Sequence, residues 1–252
     1  MNGQIYQACC IVAAAKKALK YKSAISYSPL HYVNKIEFQF LPSIPMFMKP
    51  YKVENVAEWY DLCLKNGLTD IKYIVPIAVK DRNLLGFSNT SQSSIVCFYR
   101  DKVTSFVPRW EFNSMQKVWN ILYTEYEWKS APTEKPKFVD NTEDFKVVLS
   151  KIQDLADKIN CNHFAMIFQK TIDILSGFDD YDEIIPLPEI PEGNLRLFKA
   201  ASTADVFGAM GSWNDSPPFM AHEKGLDKEY ESLSDELLTQ VRLATLYAIN
   251  AW

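Results

Sequence analysis

Strand-like alternation all but vanishes past residue 143 of this chain, and that loss limits its possible folds more than any other feature. In "YVNKIEFQF", Ile36, Phe38 and Phe40 face one side and Lys35, Glu37 and Gln39 the other, which is the alternation of a half-buried strand. Past residue 143 the period lengthens to that of a helix. Phe145, Val148, Leu149, Ile152, Leu155, Ala156 and Ile159 share one helical face, and Phe164, Ile167, Phe168, Thr171, Ile174 and Leu175 share another. The short break at Asn160–Asn162 predicts an antiparallel pair. A last helix, from about Glu229 to Asn250, places Tyr230, Leu233, Leu237, Val241, Ala244 and Ala248 together.

The first half mixes both periods. Ile5, Cys9, Val12 and Leu19 predict an opening helix with a lysine-rich end, which suits the helix dipole. Asn55 and Glu58 form a capping-box pattern ahead of Val56, Tyr60, Cys63 and Leu64, and Gly67 ends that helix. "DIKYIVPIAV" reads as a covered strand, with Pro76 marking an edge or bulge. "SSIVCFYRDKVTSFVPRW" reads as two strands around a turn at 100–102. Asn113 and Gln116 repeat the capping pattern and predict a helix with Met115, Val118, Trp119, Leu122 and Tyr126 on its face. The expected fold is α+β. Residues 1–128 form a mixed helix/strand part with a four- or five-stranded, mostly antiparallel sheet, residues 129–142 a linker or crossing loop, and residues 143–252 an all-helical part. The two parts are free to share one core.

Composition removes several classes of function. At 48% hydrophobic and 23% charged residues, the chain is that of a folded protein and not a disordered one. No apolar run approaches the roughly 18–20 residues that span a bilayer. The apolar N-terminal stretch has its lysines after it, the wrong order for export. The five cysteines are odd in number and form no CxxC, so buried free thiols and a cytoplasmic location are expected. Charge is unevenly placed. Residues 1–128 carry 15 Lys and Arg against 10 Asp and Glu, whereas residues 129–252 carry 12 against 21. The acidic half opposes nucleic-acid binding, and the basic excess of the first half is too dispersed to favour it.

Motifs for chemistry are sparse. His31, His163 and His222 form no metal-binding pair, and Cys161 with His163 supplies only half of a zinc site, so no metal and no cofactor are expected. No phosphate-cradling glycine loop and no G-x-S-x-G elbow occurs. The one unusual stretch is "FGAMGSWNDSPPF", residues 207–219, which holds two of the chain's 8 glycines. Ser212, Asp215 and His222, with Asp205 and Glu223 nearby, are the residue types of a nucleophile–base relay. Each also has a plain turn role. Gly208 and Gly211 permit left-handed backbone, Asn214 and Asp215 bond locally, and Pro217 and Pro218 stop a helix. Trp213 is either a buried plug or, with Asn214, Asp215 and Phe219, an exposed anchor for a partner.

Two further loops are candidate contact surfaces: Met46, Phe47 and Met48 on a proline-stiffened segment, and Asp179, Asp180, Tyr181 and Asp182 in an acidic one. The expected function is therefore a non-enzymatic binding protein with a basic protein partner. In character it resembles a bacterial immunity-type protein, although no motif identifies a family. The alternative is a hydrolase using the 205–223 loop with His222 as general base. The oligomeric state is left open.

Overall fold

The structure is a computed structural model that describes residues 1–42, 51–128, 134–178, 186–208 and 210–252. Met46, Phe47, Met48, Asp179, Asp180, Tyr181 and Asp182 lie outside the described residues. Strands β1 (Val33–Phe40), β2 (Tyr51–Val53), β3 (Asp70–Ile74), β4 (Ser94–Phe98), β5 (Val103–Asn113) and β6 (Val118–Glu127) form one sheet in the order β2-β1-β6-β5-β4-β3. Helices α1 (Gly3–Tyr21) and α2 (Val56–Lys65) accompany it. The second half supplies α3 (Thr142–Lys158), α4 (Asn162–Leu175), α5 (Glu192–Ala204), α6 (Pro217–Glu223) and α7 (Asp227–Asn250). The architecture is α+β, as the change of period implies.

The sheet is larger than expected, at six strands, and it is mixed, because β1 runs parallel to β6. The extra long strand comes from the segment read as a helix at 113–126. Asn113 does make the N-cap half of a capping box: its Oδ1 accepts from the amides of Met115 (3.1 Å) and Gln116 (3.2 Å), while its Nδ2 donates to Gln116 Oε1 (3.1 Å). Those bonds close a hairpin turn instead, with Lys117 left-handed at φ 54°. "VWNILYTEYE" then pairs antiparallel with β5 along ten positions. Its β-branched and aromatic residues fit a pleated surface better than a helix. Met115, placed on the expected apolar face, is 92% exposed at the turn.

Other elements follow the sequence more closely. Asn55 Oδ1 accepts from the Glu58 amide at 2.9 Å, and Glu58 Oε2 accepts from the Glu54 amide, a capping box whose return bond is shifted one residue before the cap. The face of α2 is Val56, Trp59, Tyr60 and Cys63, and Leu64 is exposed. β3 stops before Pro76 and forms a sheet edge. Pro217 and Pro218 occupy the first turn of α6 and so begin a helix. Proline fits there because the first-turn N–H groups lack helical partners anyway.

Nearly all the buried apolar side chains among the described residues, from Ile5 to Ile249, belong to one contiguous cluster. α1 is apolar or small almost all round, and Ala8, Cys9, Ile11, Val12 and Ala15 are fully buried, as in a helix enclosed by other elements. Tyr6 meets Phe198 of α5 at 5.6 Å between ring centroids. On the sheet, Phe38 stacks between Trp59 (4.6 Å) and Tyr123 (4.9 Å), with Phe106 edge-on at 5.8 Å.

Edge strand β3 is closed by a side chain. Asn250, at the end of α7, accepts from the Tyr73 amide (2.8 Å) and donates to the Tyr73 carbonyl (2.7 Å), as a neighbouring strand would. Both groups are buried, so losing the partner strands a donor and an acceptor. Asn250→Ala is expected to destabilise the fold by about 2–4 kcal/mol. In urea unfolding the midpoint drops and the slope is unchanged.

Candidate functional site

The unusual stretch is built around a tryptophan. Trp213 has no exposed surface. Phe164 (5.1 Å) and Phe168 (5.4 Å) of α4 meet its ring edge-on, and Tyr230 of α7 stacks at 5.5 Å. Its indole N–H donates to the buried Ser234 Oγ (2.8 Å), and its carbonyl accepts from Tyr230 Oη (2.6 Å). Of the two roles open to Trp213, burial selects the plug, and its place among the exposed binding residues is corrected accordingly.

Tight local turns deliver the tryptophan. Ser212 Oγ donates to the Gly208 carbonyl (2.9 Å) and accepts from the Asn214 amide (3.2 Å). Asp215 Oδ2 accepts from the amide of Gly211 (2.8 Å). Gly211 sits at φ +79°, where a side chain is strained. Gly208 does not, and an added Cβ would meet only Ser212 Cβ at an ordinary 3.5 Å.

Beyond the plug lies a cleft of about 510 Å³, lined by 79–83, Asn214, Asp215, Pro218, Phe219, Tyr230, Glu231 and Asp235. Arg82 forms its floor. The Arg82 side chain is 10% exposed, and its guanidinium pairs with Glu231 (2.7 Å) and with Asp235. The ring of Tyr230 lies 5.9 Å away. Asn214 Nδ2 donates to the Arg82 carbonyl at 3.0 Å, which ties the two walls together. Burial alone would lower the Arg82 pKa, but the hydrogen bonds it donates to Glu231 and Asp235, with the charges of those two carboxylates, outweigh it and hold it above the ordinary value.

The carboxylates are far more open than the arginine they pair with. The side chains of Glu231 and Asp235 are 63% and 66% exposed. With Asp81 and Asp215 they bring four carboxylates to the cleft, against Lys80 and Arg82. Phe219 adds an apolar surface that is 63% exposed.

The residue types of a relay are not brought together. Ser212 is engaged in its turn, and His222 is exposed, with Nδ1 2.9 Å from Asp227 Oδ1. That hydrogen bond holds the Asp227 carboxyl below its ordinary pKa. Neither Ser212 nor His222 lines the cleft. Asn214, Asp215 and Phe219 do line it. Arg82, Glu231 and Asp235 carry no mark in the sequence, since the arginine lies 149 and 153 positions from its partners. The one available signal is the i,i+4 spacing of Glu231 and Asp235, which sets two acids on one helical face.

All five cysteines are free, with Cys9, Cys63 and Cys97 buried and Cys10 and Cys161 partly so. Among the described residues no cluster of His, Cys, Asp and Glu could hold a metal ion, and no helix is long and apolar enough to cross a membrane. Comparisons with protein-family models, curated proteins and solved structures found no match.

The contrast between plug and rim is measurable. Trp213→Ala is expected to cost roughly 3–5 kcal/mol of stability, the range for truncating a large buried aromatic. Phe219→Ala should stay within about 0.5 kcal/mol of the parent. Chemical denaturation of both variants checks this.

Proposed function

We propose that this chain is a non-enzymatic binding protein whose acidic cleft takes a basic segment of a protein partner. The observation that carries the reading is the pairing of a sequestered arginine with open carboxylates. Arg82 already has its two acids, yet Glu231 and Asp235 keep most of their surface in water. A carboxylate accepts several hydrogen bonds, so each can take a lysine or arginine from outside without releasing Arg82.

Rigidity supports the same reading. Glu231 and Asp235 stand on α7, Asp215 is held by Gly211, and Asn214 locks the loop to the arginine segment. A site set in advance loses less entropy when it binds. Phe219 supplies an apolar contact beside the charges, the usual division between anchor and charged rim. The charges themselves mainly speed and steer encounter. A protein that neutralises a basic partner by covering its cationic surface would use a cleft of this kind.

The test is a titration with a short Lys/Arg-rich peptide carrying one aromatic residue, followed by fluorescence anisotropy. Saturable binding is expected, weakening about tenfold from low salt to several times physiological salt. Asp215→Asn and Phe219→Ala should each weaken it several-fold with the fold intact. Equal binding of a Glu-rich peptide, or indifference to salt and to both substitutions, contradicts the proposal.

A further inference from the structure

Glu231 and Asp235 stand four residues apart on α7, so their carboxylates share one face of the helix. One guanidinium already spans that spacing. Arg82 donates from Nη2 to Glu231 Oε2 (2.7 Å) and from Nη1 to Asp235 Oδ1, so its two outer nitrogens bridge the pair. Each carboxylate spends one oxygen on this bridge. Glu231 Oε1 and Asp235 Oδ2 have no hydrogen-bond partner among the described residues, and both side chains lie mostly in water.

Two other features of the cleft bear on what those oxygens accept. Its lining carries Asp81, Asp215, Glu231 and Asp235 against Lys80 and Arg82, four acids less two cations, so two negative charges stay unbalanced within it. Asp215 uses Oδ2 on the Gly211 amide and leaves Oδ1 without a partner among the described residues. Beside these oxygens the cleft holds the Phe219 ring, which is 63% exposed and free to take a flat group on its face.

Resting on the reading of the cleft as the site for a basic segment, we infer that the side chain it selects is an arginine of the partner, in preference to a lysine. The incoming guanidinium bridges Glu231 Oε1 and Asp235 Oδ2 as Arg82 bridges the other two oxygens, and it stacks on Phe219. A guanidinium presents five N–H donors in a flat fork and is weakly hydrated, so it gives up little on leaving water. An ammonium is compact and strongly hydrated, with three donors and no flat face. Both carry one charge, so the negative lining attracts either. The paired oxygens and the ring are what separate them.

Fluorescence anisotropy of the full chain with three labelled peptides tests the inference. The peptides are equal in length and charge and carry arginine, lysine or asymmetrically dimethylated arginine at every cationic position. The arginine peptide should bind about tenfold more tightly than the lysine peptide, the combined effect of a bridging fork and one stacked ring. Dimethylation keeps the charge but removes the donors of one outer nitrogen, so affinity should fall toward that of lysine. Phe219→Leu keeps an apolar side chain without an aromatic face and should close most of the gap between arginine and lysine. Equal affinity for those two peptides, still weakened by salt and by Asp215→Asn, overturns the inference and leaves the acidic-cleft reading standing. Dimethylated arginine binding as tightly as arginine overturns the bridge. Binding of none of the three overturns the inference and the reading together.

Discussion

The rest of this structure depends on α7. Its 24 residues span roughly 36 Å at the ordinary helical rise. Near its start, Tyr230 and Ser234 fix Trp213 by two buried hydrogen bonds, and one turn of the same helix presents Glu231 and Asp235 to Arg82. At its end, Asn250 completes the edge of the sheet. A single rigid element thus joins the helical second half to the strands of the first.

The same helix separates the charges. Carboxylates gather toward its N-terminal end and lysines around its C-terminal end, the distribution that a helix dipole favours. The net charge of −4 conceals this division. Neither end carries a bare buried ion: Arg82 is paired, and Lys16 bonds a carbonyl and lies over an aromatic ring. Such partners offset the desolvation that burial would otherwise impose.

Much of the fold was legible because local patterns and tertiary structure agree. The alternation of β1, the capping box of α2 and the stripe of Tyr230, Leu233, Leu237 and Val241 on α7 all persist in the structure. Agreement failed where one local bond pattern serves two structures. Asn113 Oδ1 accepts the same backbone amides in a hairpin turn as at a helix start, and only the alternation after Val118 distinguishes them. Trp213 was legible as a plug or an anchor, and only the rings of Phe164, Phe168 and Tyr230 decide between the two. The cleft was half legible. Asn214, Asp215 and Phe219 stand out in their own loop, whereas Arg82 looks like any surface arginine until the chain folds it against α7.

The acidic cleft is the proposed surface for a basic partner. Amide hydrogen exchange with and without a Lys/Arg-rich peptide locates that surface directly. Slowed exchange is expected, confined to residues 79–83, 214–219 and the first turns of α7. Protection elsewhere on the chain, with these segments unchanged, would contradict it.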